Sequence, residues 1–252
     1  MGAGDVRLRI NLWSGPRNVS TALMYSFAQR SDTRVVDEPL YAHYLRVSGA
    51  KHPAREEVLR AQDNDGARVV RDVILGACDR PVLFVKQMAH HLVELDRAFL
   101  AKTTNVLLVR DPREMLPSLM QQIPEPTLRD AAYATQTELY DELRRIGQDP
   151  IVLDAREVLL DPKAVLGELC TRVGIPFEPA MLHWKPGARS EDGVWAPHWY
   201  HSVHLSTGFQ PYHAKEGPFP RKLKALLEQS RPHYERLRAL AIKAPARSGS
   251  AT

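Results

Sequence analysis

Five short runs rich in Val, Ile and Leu, separated by stretches with helical spacing, constrain this chain more than any other feature. They fall at residues 7–13, 33–36, 82–86, 105–110 and 150–153. Strands that are almost wholly apolar, alternating with helices, belong to a parallel sheet covered on both faces. Helical periodicity is predicted at 19–30, 54–61, 92–101, 113–121, 128–147, 162–174 and 220–242. The expected architecture is therefore α/β, one domain over residues 1–243 with a parallel sheet flanked by helices. Residues 184–215, rich in Gly, Pro, His and Trp, read as a long loop or lid, and 244–252 as a disordered tail. In sheets of this kind ligands bind beyond the carboxyl ends of the strands. Lys86 and Arg110, at the ends of two of the runs, are both aimed there.

Two of the strand ends carry polar turns suited to anions. In the first, an apolar run ends in Ser14-Gly15-Pro16-Arg17-Asn18-Val19-Ser20-Thr21 and opens a helix. A helix N-terminus offers unpaired N–H groups and partial positive charge, and Asn18, Ser20 and Thr21 add donors. The segment is a P-loop without its Lys, Arg17 standing near that place. An ordinary turn capped by Asn or Ser is the alternative. In the second, Val106 to Val109 leads into Arg110-Asp111-Pro112-Arg113, with Ser118 on the following helix. Asp111, before a Pro, reads as an N-cap or an Arg partner, not as a metal ligand. Arg113 could join Arg110 or pair with Asp111 or Glu114.

At these residues the chain resembles the sulfotransferases that use 3′-phosphoadenosine 5′-phosphosulfate. Ser14 to Leu23 is similar to the family's 5′-phosphosulfate loop, and Arg110 followed eight residues later by Ser118 to its 3′-phosphate motif. Asp37-Glu38-Pro39-Leu40-Tyr41 resembles the Glu-Pro-Leu segment of the carbohydrate branch. Leu160 to Cys170 and Val173 to Phe177 resemble a later helix and its exit. The resemblance implies a P-loop-like fold and metal-independent sulfuryl transfer to a hydroxyl or amine of a small-molecule acceptor. It implies cosubstrate binding by Arg17, Asn18, Val19, Ser20, Thr21, Arg110 and Ser118, and catalysis by Glu38, Arg17 and Lys86. Glu38 is the candidate base, with His90 and His91 as fallbacks, since Met88 stands where the cytosolic branch places its His. Val19 occupies a position where the loop usually has Gly, so a left-handed backbone is not expected there.

The remaining features set bounds. A chain of 252 residues with 44% hydrophobic content closes one substantial core. A net charge of +4 with scattered Arg suits an anionic ligand, not nucleic acid. Two cysteines do not make a disulfide framework and fit a reducing cytosol. No leader or membrane-length apolar run is visible, so a cytoplasmic protein is expected. Trp13 reads as core in preference to an adenine wall. Trp195, Trp199 and Tyr200, with His198, His201 and His204, read as substrate wall or lid packing. Two other readings stay open: a P-loop kinase using ATP, and a non-catalytic adenine-nucleotide-binding protein.

Overall fold

All five expected strands form in a computed structural model of the chain, which describes residues 7–245. They are β1 (Leu8–Ser14), β2 (Thr33–Asp37), β3 (Val82–Met88), β4 (Thr104–Val109) and β5 (Ile151–Asp154). Every pairing is parallel, in the order β2-β3-β1-β4-β5, so the first strand is central and β2 lies on an edge. The helices are α1 (Ser20–Phe27), α2 (Tyr41–Ser48), α3 (Arg55–Ala61), α4 (Gly66–Val69), α5 (Pro112–Met120) and α6 (Leu128–Ala131), followed by α7 (Tyr133–Arg145), α8 (Ala155–Leu160), α9 (Pro162–Val173), α10 (Ala196–Trp199), α11 (His201–His204) and α12 (Lys224–Leu240).

Strand side chains alternate between faces, and both faces are buried. Val106 and Leu108 join Ile10, Leu12 and Phe84 in one core, closed by Leu23 and Met24 of α1 and Leu166 and Leu169 of α9. Leu107 and Val109 join Trp13 in the other, closed by Leu116 and Leu119 of α5, Leu139 and Leu143 of α7, and Leu237 of α12. Trp13 is wholly buried, and its indole N–H donates to Asn105 Oδ1 at 2.9 Å, which leaves no polar atom of the ring unsatisfied.

Three expectations need correction. Residues 92–101 do not form a helix; only short 3₁₀ turns occur, at Ala89–His91 and Ala98–Lys102. Glu94 has φ 46°, which breaks the helical run, and the Asp96 side chain caps Ala98 N–H at 2.9 Å. The single helix over 128–147 is split at Ala132, whose φ is 63°. That break lets Gln136 donate to the Leu108 carbonyl at 2.8 Å and Tyr133 to that of Arg110 at 2.7 Å, beyond the end of β4. The 184–215 segment is not simply loop. It carries α10 and α11, and Trp184, Trp195 and Tyr200 are buried. Of the expected tail, residues 246–252 lie outside the described residues. Among the described residues no helix is long and apolar enough to cross a membrane.

Candidate active site

The tips of β1, β3 and β4 surround a cavity of about 380 Å³. All nine residues expected from sequence line it: Arg17, Asn18, Val19, Ser20, Thr21, Glu38, Lys86, Arg110 and Ser118. A wider groove of about 710 Å³ follows the edge strand β2, but neither the Gly15–Thr21 turn nor Arg110 lines it.

The turn after β1 is fixed from both ends. Asn18 Nδ2 donates to the Leu108 carbonyl at 3.1 Å, and Asn18 Oδ1 accepts the Val19 N–H at 2.9 Å. The left-handed residue is Arg17, with φ 52°, whereas Val19 has φ −86°. Val in a glycine position is therefore tolerated, because the unusual conformation has moved two residues upstream. Beyond it, α1 presents the N–H groups of its first turn and the hydroxyls of Ser20 and Thr21.

Three cations converge beside this turn. Arg17 Nε donates to Ser118 Oγ at 3.0 Å and its guanidinium to the Trp199 carbonyl at 2.9 Å. Arg110 donates to the Arg17 carbonyl at 3.2 Å and meets Glu114 at 3.2 Å. Lys215, which sequence reasoning missed, donates to the Glu114 carbonyl at 2.8 Å. Burial, then the Arg110 charge, lowers the proton affinity of both Arg17 and Lys215. Cations that weaken one another's protonation are relieved by an entering anion. Asp111 caps α5 by accepting the Arg113 N–H at 2.8 Å, while Arg113 lies over the Phe219 ring.

Across the cavity, β2 and β3 place Asp37 and Lys86 in register, with Glu38 next to them. Lys86 is buried and donates to Asp37 Oδ1 at 2.8 Å, to Tyr200 Oη at 2.6 Å and to Glu38. These contacts engage all of its N–H groups. Tyr200 in turn donates to Asp37 Oδ2 at 2.6 Å, and the Trp195 indole donates to Tyr200 Oη at 3.0 Å. Burial, opposed by Lys86 and reinforced by Asp37, holds the Glu38 carboxyl above the usual carboxylate range. Burial works against the Lys86 charge, but Asp37 and Glu38 outweigh it and keep the ammonium protonated. Glu38 has φ 40°, a second left-handed residue at a strand tip. Asp37 was also missed. Its role becomes visible only once β2 and β3 are known to be neighbours. Lys215 carries no periodic or motif signal.

The far wall is aromatic. Tyr41 and Tyr44 both stack on His91 with ring centroids 4.8 Å apart, and His90 meets His91 edge-on at 4.7 Å. Neither His90 nor His91 has a hydrogen-bond partner at Nδ1. Burial drives the His90 pKa down to about 3 and that of His91 well below its ordinary value. Both rings are thus neutral in the fold yet protonate in the unfolded chain below about pH 6.5. Stability should fall as pH drops through that value, by about 1.4 kcal/mol per pH unit for each imidazole. Urea midpoints at pH 7 and pH 5 check this; equal midpoints would contradict neutral burial.

A helix N-terminus and a cluster of cations at neighbouring strand tips thus face a buried carboxylate across one cavity of an α/β fold. The model of the sulfotransferase domain matches residues 8–241, and the chain belongs to that family. It is 42% identical over 231 residues to branched-chain-amino-acid aminotransferase-like protein 1 of Arabidopsis thaliana and 39% identical over 230 residues to the like-named protein 2. The match covers 91% of this chain but 41% of each relative, so the chain spans less than half the length of those proteins. Among solved structures, the sulfotransferase domain of the Synechococcus PCC 7002 olefin synthase is 17% identical, with TM-score 0.52, covering 90% of this chain and 97% of that one. A sulfotransferase from Alicyclobacillus acidocaldarius is 14% identical, with TM-score 0.51, covering 93% and 95%. At such identities the likeness is one of fold.

Proposed function

We propose that this chain transfers a sulfuryl group from 3′-phosphoadenosine 5′-phosphosulfate to a hydroxyl of a small uncharged acceptor. The observation that carries the reading is that the Arg17–Thr21 turn and Arg110 open onto one cavity with Glu38 and Lys86. The chemistry of the donor set fits the cosubstrate. The first turn of α1 with Ser20 and Thr21 suits the 5′ end, and Arg110, Ser118 and Lys215 suit the 3′-phosphate. When bound, the cosubstrate supplies a sulfuryl group on an activated phosphate–sulfate oxygen. Glu38 takes the acceptor's hydroxyl proton as the acceptor oxygen bonds to sulfur, and its raised proton affinity suits that task. Arg17 offsets the charge left on the departing 5′-phosphate oxygen.

The aromatic wall favours an uncharged acceptor. Tyr41 turns one face onto His91, and the one carboxylate among the lining residues, Glu38, is already held by Lys86 and so is not free to pair with an ammonium group. The imidazoles there, held neutral, offer no charge to a second anion.

Two measurements test the reading. Calorimetry should find adenosine 3′,5′-bisphosphate bound more tightly than adenosine 5′-phosphate, and radiosulfur-labelled donor should label neutral alcohols. Equal binding of the two nucleotides, or phosphoryl transfer from ATP with Mg²⁺, would point to a kinase. Nucleotide binding without transfer to any acceptor would point to a binding protein. Lys215→Ala should weaken bisphosphate binding roughly tenfold, the order set by one charge-assisted hydrogen bond of about 1.5 kcal/mol.

A further inference from the structure

We propose that Asp37 and Tyr200 are positioning residues that set the proton affinity of Glu38 and decide when Lys86 becomes free to act. The inference rests on the assignment of Glu38 as base and goes beyond it, because Asp37 does not line the cavity and Tyr200, which does, has its hydroxyl engaged by Lys86 and Asp37. Its basis is the count of donors and acceptors in one buried cluster. Lys86 carries a single positive charge and sits between two carboxylates, each with a side chain less than a tenth exposed. Two negative charges with one positive charge in a buried site leave one carboxylate under-compensated, and the proton affinity of that group rises.

Geometry decides which of the two it is. Asp37 accepts from Lys86 at 2.8 Å on one oxygen and from Tyr200 at 2.6 Å on the other, with the Gly193 N–H at 3.4 Å from that second oxygen. Glu38 has the Lys86 ammonium and the support of the same Tyr200 hydroxyl, which is already donated to Asp37, and no backbone donor of its own. The better-solvated charge is therefore that of Asp37, and Glu38 is the group left to take a proton. The other titratable groups nearby do not compete. Tyr41 and Tyr200 hold their protons more firmly than a free phenol, through burial first, and His91 stays neutral.

The arrangement orders events. Before reaction, every N–H of Lys86 is engaged, so the ammonium makes no hydrogen bond to a sulfuryl oxygen. Once the acceptor's proton moves to Glu38, that carboxyl is neutral and no longer holds Lys86 by charge. The released N–H then turns toward the oxygens of the migrating group, where negative charge needs support. Tyr200, the one residue between α10 and α11, ties that helical segment to the cluster through Lys86 and Asp37.

The test is a carboxyl ¹³C NMR titration of the full chain, with Glu38→Gln used to assign the resonance. Asp37→Asn removes the like charge and leaves Lys86 more fully to Glu38, so the Glu38 midpoint should fall by about one pH unit or more. Tyr200→Phe keeps the ring and removes only the hydroxyl. Asp37 then loses a donor and Glu38 loses the hydroxyl that favours its ionised form, so the midpoint should rise. Displacements in opposite directions support the proposal; unchanged midpoints, or displacement of both the same way, overturn it. If Asp37→Asn does not fold, a Tyr200→Phe midpoint at or below that of the wild type is enough to overturn it. Failure of the sulfuryl-transfer reading would appear elsewhere, as absent binding of adenosine 3′,5′-bisphosphate to the wild type, a measurement that involves neither residue.

Discussion

Glu38→Gln should lower turnover by about 10²–10⁴-fold, the range that a positioned general base contributes. The substitution keeps the shape and a hydrogen-bond acceptor for Lys86 but removes the capacity to take a proton. Affinity for adenosine 3′,5′-bisphosphate should stay within about twofold, because Glu38 lies across the cavity from Arg17, Arg110 and Lys215. The wild type should also lose activity as pH falls, since the ionised carboxylate is the working form. Its raised proton affinity places that acid limb above the range of an ordinary Glu. A variant with near wild-type turnover and an unchanged acid limb would remove Glu38 from the mechanism. His90 and His91 would be poor replacements, because burial that drives His90 to about pKa 3 makes its imidazole a weak base.

Arg110→Ala should weaken binding of adenosine 3′,5′-bisphosphate by about 30- to 1,000-fold, corresponding to about 2–4 kcal/mol for truncating one partner of a largely desolvated charge pair. Adenosine 5′-phosphate should weaken far less, so most of the discrimination between the two ligands is lost. Part of the loss is indirect. Arg110 also donates to the Arg17 carbonyl at 3.2 Å, and its removal loosens the turn that faces the 5′ end. Measuring both nucleotides on both proteins separates the effects: loosening weakens both ligands, whereas a lost phosphate contact weakens only the bisphosphate.

The sheet was legible in the sequence because its strands are apolar on both faces, a pattern that few other elements share. The strand-tip residues were legible for a related reason: a parallel sheet forces such tips to one side, so Arg17, Lys86 and Arg110 had to converge. What sequence could not show are contacts made across neighbours. Asp37 meets Lys86 through the β2–β3 register, and Lys215 arrives from a connection without periodicity. The helix expected over 92–101 failed for a local reason, since its apolar spacing is real but Glu94 adopts a left-handed backbone that no pattern of hydrophobicity encodes. Lys86 was expected among the catalytic residues, and the structure adds that its donors are committed to Asp37, Glu38 and Tyr200.

Arg17 and Glu38 both sit at positive φ, 52° and 40°, where glycine would be at ease and a side chain costs of order 1–2 kcal/mol. Selection for folding alone would therefore push both sites toward glycine. A descendant that had abandoned chemistry while keeping its architecture should drift there, and paired glycines at 17 and 38 would serve as the mark of a lapsed enzyme.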